Sequence, residues 1–237
     1  MREAKGNSKA GNMKFSGLQK TSLIDFPDRI SSILFTPGCN LRCPYCQNWR
    51  IVVNPQGPFL SEDDALAILE SRKKFIDAVV ITGGEPLIHK DAPIFIRKLK
   101  KRGFAVKLDT NGFFPKLLKK CLRYVDYVAV DVKTSLEKYH LLGAKETDSL
   151  LETINLLKNH KIEYEFRNTV VPGIVDEEDI AKMGELVKGA KRFAFQQFIP
   201  DNALDVRFRK IQPYPPETIK RFAKIMNKYV NEVILRI

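Results

Sequence analysis

Short, almost continuously apolar runs alternate with amphipathic runs along most of the chain. The apolar runs are rich in Val, Ile and Phe, which is typical of strands that are covered on both faces. They predict six strands, at residues 30–36, 78–82, 104–109, 127–132, 163–170 and 193–198. The amphipathic runs predict helices between them. The first of these helices opens well, because Ser61 can serve as its N-cap and three acidic residues follow in the first turn.

Strands that alternate with helices predict right-handed βαβ units and a parallel sheet. Six strands are too few for a complete eight-stranded barrel, so the pattern leaves two α/β architectures open: a doubly wound open sheet and an incomplete barrel. The sequence shows no internal repeat and no long linker. We therefore expect a single domain over residues 15–237, preceded by a flexible polar segment over residues 1–14.

Distinctive polar residues stand at the ends of the predicted strands. In both architectures the ligand site lies beyond the carboxyl ends of the parallel strands. The groups at these ends are Cys39, Gly83-Gly84-Glu85-Pro86, Asp109-Thr110-Asn111-Gly112, Asp131 with Lys133, Arg167 with Asn168, and Gln196-Gln197. Packing alone does not explain so many such groups at one rim, and we expect a functional site there.

The composition narrows the class of protein. A chain of 237 residues with 44% hydrophobic residues can bury a substantial core. No apolar run approaches the roughly 20 residues needed to cross a bilayer, and the first residues lack the apolar stretch of a signal peptide. We therefore expect a cytoplasmic protein without membrane association. The formal net charge of +12 fits either a polyanionic partner or a lysine-rich soluble surface, and it does not decide between them.

Three of the four cysteines, Cys39, Cys43 and Cys46, form a C-x-x-x-C-x-x-C motif. Thiolates this close in a loop can converge on a soft metal centre. A [4Fe–4S] cluster held by three thiolates would leave one iron open for a small ligand. Zinc is the alternative, but it requires a fourth ligand. The candidates for that ligand are poor, because Cys121 lies on an apolar helical face and the chain has only three histidines.

The cysteine motif, followed by Gly-Gly-Glu-Pro after the second strand, resembles the radical S-adenosylmethionine (radical SAM) superfamily. The resemblance covers roughly residue 15 to the last helix. Within the superfamily the chain is most similar to the activating enzymes of glycyl radical enzymes. The stretches that carry this similarity are residues 22–28, 36–48, 108–112, 131–133 and 167–173. The first two are especially similar to activators of anaerobic ribonucleotide reductase. The resemblance implies an incomplete (βα)6 barrel of the TIM type.

The resemblance also implies roles for the rim residues. Cys39, Cys43 and Cys46 would hold the cluster, and Tyr45 would lie against the adenine of S-adenosylmethionine. The other implied cofactor-binding residues are Gly83, Gly84, Glu85, Asp109, Asn111, Asp131, Lys133, Arg167 and Val170. Asp109 and Asp131 would bind a monovalent cation or anchor the methionine moiety. The alternative interpretation of the charged residues is that they form ion pairs across the rim. For Asn111 the alternative is that it stabilises its own turn.

The implied reaction is reductive cleavage of S-adenosylmethionine to methionine and a 5′-deoxyadenosyl radical. This radical would abstract hydrogen from a glycine of a partner glycyl radical enzyme, and Asp25 lies in the segment that would help to receive the glycine loop. A ferredoxin or flavodoxin would donate the electron, and the basic residues at 97–102 and 116–123 offer it a docking patch.

Two other functions stay open at this stage. One is a radical SAM enzyme that acts on a small molecule or a tRNA nucleoside, and the other is a zinc-stabilised nucleic-acid-binding protein. A nucleic-acid partner ranks lower, because no aromatic-rich RNA-binding module accompanies the charge.

Overall fold

The structure is a computed structural model, and it describes residues 12–237. Its strands are β1 (Lys14–Phe15), β2 (Gly17–Ser22), β3 (Ser31–Thr36), β4 (Leu60–Ser61), β5 (Ala78–Gly83), β6 (Ala105–Thr110), β7 (Tyr127–Asp131), β8 (Glu163–Val170), β9 (Arg192–Gln197) and β10 (Glu232–Arg236). Eight of them form one sheet in the order β10-β9-β8-β7-β6-β5-β3-β2, and β1 pairs with β4. Only the edge strand β2 of this sheet is antiparallel to its neighbour.

Helices connect the parallel strands. They are α1 (Trp49–Val53), α2 (Glu62–Ser71), α3 (Ala92–Lys101), α4 (Pro115–Cys121), α5 (Asp148–Lys158), α6 (Glu177–Val187) and α7 (Pro216–Met226). The expected N-cap of α2 is present, because the Ser61 hydroxyl accepts a hydrogen bond from Asp64 N at 3.1 Å. No helix within residues 12–237 combines the length and the apolar character that a membrane crossing requires.

The α/β class and the incomplete barrel are confirmed, and the main sheet contains two strands, β2 and β10, in addition to the six predicted ones. Strand β2 has the largely polar sequence GLQKTS, and only one of its edges pairs with the sheet, so it lacks the apolar run of a central strand. Strand β10 follows α7 at the chain end and pairs in parallel with β9. The sheet therefore contains seven parallel strands where the sequence predicts six.

Met13 and Lys14, which precede the expected domain boundary at residue 15, contact the rest of the fold. Met13 is 1% exposed, and its N–H donates to Glu62 Oε2 at 3.1 Å. Lys14 belongs to β1. These contacts attach Met13 and Lys14 to the rest of the described structure, the domain boundary itself stays a prediction, and residues 1–11 of the expected flexible segment lie outside the described residues.

The two faces of the sheet differ in character. The outer face packs under the helices and forms the main apolar core. The inner face lines the barrel, and at the end where the strands begin it holds a small apolar cluster that includes Phe26, Val80, Ala105 and Tyr127. Asp25 lies beside this closed end, where its carboxylate accepts a hydrogen bond from the Ser22 hydroxyl at 2.5 Å. Charged residues occupy the inner face nearer the opposite end.

Candidate active site

The loop that follows β3 brings its three cysteines to one pocket. Cys39, Cys43 and Cys46 all border a cavity of about 380 Å³ at the end of the barrel where the parallel strands end. The start of the loop is held by Gly38, whose N–H donates to Ile51 O at 2.7 Å. The cysteine loop is therefore fixed to the fold by its backbone.

The three thiols and the hydrogen bonds to Cys39 fit a multi-iron cluster. Within residues 12–237, no three His, Cys, Asp or Glu side chains lie close enough together to hold one metal ion. A cluster requires a wider spacing, because each thiolate binds a different iron. Cys39 Sγ also accepts hydrogen bonds from Leu41 N at 3.4 Å and from Asn111 Nδ2 at 3.6 Å. Such donors stabilise a thiolate, and the residues present fit a [4Fe–4S] cluster.

Burial and a nearby cation act in opposite directions on the thiols. Burial raises the pKa of all three cysteines, and that of Cys43 rises to about 11. The Lys133 ammonium acts against this rise at each of them. Because metal coordination deprotonates a thiol outright, a nearby cation favours the bound form.

Gly83 and Gly84 allow β5 to approach the cysteine loop closely. A Cβ on Gly84 would lie 1.8 Å from Gly38 O, and Gly83 has a φ of +110°. Only glycine fits such positions. The N–H groups of Gly84 and Glu85 donate at 2.8 Å to the carbonyls of Thr36 and Gly38. A ligand's ammonium group can only donate, so the carbonyl oxygens of this turn are the backbone groups that could accept from it, and Gly83 O already accepts from Asn48 Nδ2 at 2.9 Å.

Asp109 and Asp131 end neighbouring strands and lie in a network of opposite charges. Arg167 joins them, with Nη1 3.2 Å from Asp109 Oδ2 and Nε 2.7 Å from Asp131 Oδ1. Lys133 Nζ lies 3.0 Å from Asp131 Oδ2, and Lys107 Nζ lies 2.6 Å from Asp109 Oδ1. Burial would raise the pKa of both carboxyls, but the neighbouring cations outweigh it and lower both pKa values. The rim thus contains the ion pairs that the sequence leaves as an alternative, and four of these residues also border the pocket.

Tyr45 and Asn111 flank the cysteines. The Tyr45 ring is 8% exposed and packs edge-on against Phe198, with ring centroids 6.5 Å apart. Asn111 Nδ2 donates to Asn40 Oδ1 at 2.7 Å as well as to Cys39 Sγ. Its Oδ1 accepts a backbone N–H two residues further on, at 3.2 Å. Asn111 therefore stabilises its own turn and contacts a cysteine at the same time.

The structure brings all but one of the predicted cluster- and cofactor-binding residues to the same pocket. Cys39, Cys43, Tyr45, Cys46, Gly83, Gly84, Glu85, Asp109, Asn111, Asp131, Lys133 and Arg167 border it. Val170 does not, and it is fully buried in the main core. Because side chains alternate along a strand, Val170 faces the helices while Thr169 faces the pocket.

Two residues of the inner face, Lys107 and Thr169, are not among the residues that the sequence predicts for the site. Lys107 is 2% exposed and supports Asp109 from below, and Thr169 borders the pocket. The signal for Lys107 is its spacing: a lysine inside an apolar strand, two residues before Asp109, must share the face of Asp109. Thr169 has the same relation to Arg167 on β8.

The basic residues of α3 lie away from the cysteines. Each helix returns the chain to the end of the sheet where the strands begin, so the last turn of α3, with Lys98, Lys100 and Lys101, is at that end. Lys98 pairs with Glu62, and Lys100 pairs with Asp126 at 2.8 Å. The cysteine loop lies at the opposite end of the sheet.

The cysteine pocket lies within a stretch that matches a known protein family. The model of the radical SAM superfamily matches residues 33–187, which include the cysteine loop, the Gly-Gly turn and the charged network. The chain belongs to the radical SAM superfamily. Members of this superfamily are enzymes that use a [4Fe–4S] cluster and S-adenosylmethionine, so this chain is a radical SAM enzyme.

The most informative relatives are activating enzymes. A Methanocaldococcus jannaschii protein, provisionally named a glycyl-radical enzyme activating enzyme, is 37% identical over 231 residues, or 93% of this chain and 95% of the relative. The pyruvate formate-lyase-activating enzyme of Clostridium pasteurianum is 25% identical over 93% of this chain and 98% of its own.

Solved structures support the fold. Streptococcus suis SuiB bound to S-adenosylmethionine has a TM-score of 0.65 at 16% identity, over 86% of this chain and 51% of that chain. QueE from Escherichia coli has a TM-score of 0.55 at 18% identity, over 95% of this chain and 94% of that chain. At these identities the likeness concerns the radical SAM fold alone.

Proposed function

We propose that this radical SAM enzyme activates a glycyl radical enzyme by removing a hydrogen atom from one of its glycines. The observation that carries the proposal is the composition of the pocket that the three cysteines border. Three cysteines border it together with a charged network of the kind an amino acid moiety requires, and the neutral polar side chains of Thr169 and Gln196 border it as well. The similarity to activating enzymes along nearly the whole chain supports the same function.

The cofactors supply the difficult chemistry. When the cluster and S-adenosylmethionine are bound, one electron breaks the S–C5′ bond and gives methionine and a 5′-deoxyadenosyl radical, which takes the glycine hydrogen. The protein orients these groups and excludes water. We assign the cluster to Cys39, Cys43 and Cys46, which fit it by position and by their hydrogen bonds.

The charged network is suited to the methionine end of the cofactor. Burial alone would lower the pKa of Lys133, but Asp131, Tyr45 and Cys43 raise it above the ordinary value, so Lys133 stays charged. We assign Lys133 to the methionine carboxylate. The turn at Gly83-Gly84 offers carbonyl oxygens to the ammonium group of the same moiety.

The neutral polar residues are suited to a peptide. Thr169 and Gln196 are register partners on β8 and β9, and both side chains border the pocket. A glycine has no side chain to recognise, so an enzyme must position it through the peptide groups on either side. The Gln196 amide offers both a donor and an acceptor for such groups.

We propose a ferredoxin or flavodoxin as the electron donor and place its contact near the cysteine loop. An acidic donor at the basic end of α3 would be separated from the cysteines by the length of the sheet. Arg42 lies within the cysteine loop, Arg50 follows it on α1, and both are exposed. Arg42 Nη1 donates to Cys39 O at 2.7 Å, so a donor that contacts it comes close to the cluster.

The decisive experiment is anaerobic reconstitution with S-adenosylmethionine and a candidate glycyl radical enzyme. Anaerobic ribonucleotide reductase is the first candidate, because residues 22–28 and 36–48 are most similar to its activators. Electron paramagnetic resonance should detect a glycyl radical doublet, absent when the partner's glycine is replaced by alanine. If no partner gives a doublet and the protein binds tRNA in a steeply salt-dependent manner, the RNA-modifying function replaces this one.

A further inference from the structure

The two carboxylates beside the proposed methionine site already have a cation at each oxygen. Lys107 and Arg167 lie at the two oxygens of Asp109, at 2.6 and 3.2 Å. Arg167 and Lys133 lie at those of Asp131, at 2.7 and 3.0 Å. The side chain of Lys107 is only 3% exposed, so this contact is shielded from solvent.

A bound monovalent cation therefore does not fit this donor set. Such a cation requires several oxygen ligands. Here a side-chain cation already occupies each carboxylate oxygen of Asp109 and Asp131. Within the described residues, no other acidic, histidine or cysteine side chains join them to form a group of three.

We infer that the Lys107 ammonium takes the place of a monovalent cation at this site. Lys107 is a positioning residue: it acts through Asp109, and the wild-type enzyme consequently binds S-adenosylmethionine without K⁺ or Na⁺. This inference rests on the proposed binding of the methionine moiety beside Lys133.

The geometry of β6 explains how a lysine reaches this place. Lys107 and Asp109 are two residues apart on one strand, so both point into the barrel. The Lys107 stem extends along the inner wall, and its ammonium lies 6.0 Å from the centroid of the Tyr127 ring. Tyr127 belongs to the apolar cluster that closes the lower end of the barrel. The ammonium is thus enclosed between an aromatic ring and a carboxylate.

The charge count shows why the site requires this group. The network holds three cations, Lys107, Lys133 and Arg167, and two anions, Asp109 and Asp131. A methionine carboxylate beside Lys133 would balance the remaining positive charge of these five side chains, apart from the ammonium and sulfonium charges that the cofactor itself brings. Without Lys107, the buried oxygen Oδ1 of Asp109 would lose the cation beside it, which is costly in a poorly solvated place.

The test measures S-adenosylmethionine affinity in different salts. The reconstituted wild-type enzyme is titrated with the cofactor in potassium, sodium or choline chloride at equal ionic strength. The dissociation constants should agree within about twofold, because the network is complete without an added ion. A loss of affinity of tenfold or more in choline would overturn the inference.

The variant Lys107→Met keeps the length of the stem and removes the charge. Its affinity in choline should fall about 10- to 100-fold, the range expected for one lost hydrogen bond to a charged group. Potassium or sodium should restore most of the loss, since an ion can then neutralise Asp109. Lys100→Met is the matched control, because its partner Asp126 lies outside the pocket, and its affinity should not depend on the cation.

The possible outcomes separate the two proposals. If Lys107→Met loses affinity equally in all salts, Lys107 is a structural residue only and the inference fails. If the variant does not fold, the wild-type comparison still decides, and the thermal midpoint of the loaded wild-type enzyme in choline and potassium provides a second measurement. Failure of the wild-type enzyme to bind S-adenosylmethionine in any salt would instead contradict the proposed function.

Discussion

The N–H of Asn111 donates to Glu85 Oε2 at 2.7 Å and thereby ties the turn after β6 to the turn after β5. The other oxygen of Glu85 accepts from the Thr110 hydroxyl at 2.7 Å and from Leu87 N at 3.0 Å. Glu85 is 1% exposed. Burial raises its pKa to about 7 against the opposing effect of these donors. Glu85 thus connects two walls of the pocket.

The raised pKa predicts a pH-dependent stability. Folding favours the protonated form of Glu85. The contribution of this form to the free energy of unfolding is therefore complete below the ordinary pKa of 4.5, and it is lost as the pH rises through about 7. The loss is about 3 kcal/mol. From about pH 5 to about pH 8, the thermal midpoint of the reconstituted wild-type enzyme should therefore decrease relative to the midpoint of the Glu85→Gln variant.

The matched control for this experiment is Glu70→Gln, which changes a more exposed carboxylate on α2. Its pH profile should run parallel to that of the wild-type enzyme. Parallel profiles for wild type and Glu85→Gln would show that Glu85 does not titrate in this range.

The close approach of Gly84 to Gly38 predicts a severe effect of one methyl group. A Cβ on Gly84 would lie 1.8 Å from a backbone oxygen that leads into the cysteine loop. Gly84→Ala should lower the thermal midpoint by roughly 5–10 °C, from about 2–3 kcal/mol of strain. Its iron content after reconstitution should also fall, because the loop must move.

Gly17→Ala provides the comparison, since its Cβ would lie 3.9 Å from the Phe35 ring, an ordinary contact. Its midpoint should stay within about 2 °C of the wild-type value. If Gly84→Ala behaves in the same way, the turn has more freedom than the structure shows.

The cysteines should divide into two classes. Cys39→Ala, Cys43→Ala and Cys46→Ala should each abolish S-adenosylmethionine cleavage and lower the iron content, which should be about four per chain in the wild-type enzyme. Cys121→Ala should retain both, because Cys121 is fully buried in the main core and burial raises its pKa to about 12. Equal loss of iron in Cys121→Ala would contradict this assignment of the ligands.

Sequence patterns predict this fold well where the structure of a segment depends on residues that are close to it in the sequence. The six predicted strands are central in the sheet, and their apolar runs report burial on both faces. The cysteine spacing and the Gly-Gly-Glu-Pro turn are continuous in sequence and could be recognised directly. Strand β2 carries no such signal, because only one of its edges pairs and its exposed side chains are polar.

The parts that sequence patterns do not predict depend on the face to which a side chain points. Val170 and Thr169 are neighbours in sequence, yet only Thr169 borders the pocket. The role of Lys107 depends on Arg167 and Asp131, which come from other strands. The register of parallel strands decides such contacts, and packing of the whole sheet sets that register.

Gln196 should separate cofactor cleavage from substrate activation. Its side chain borders the pocket, beside its register partner Thr169. Gln196→Ala should leave S-adenosylmethionine cleavage with an artificial reductant within about twofold of wild type, while the yield of glycyl radical per cofactor cleaved falls about tenfold, as for one lost hydrogen bond in positioning a peptide. Quantifying methionine and the electron paramagnetic resonance doublet in the same sample gives that ratio. Gln19→Ala, an exposed change on β2, should leave the ratio unchanged. A proportional loss of cleavage and radical in Gln196→Ala would instead assign Gln196 to the cofactor, and the peptide contact would then have to lie elsewhere along the pocket.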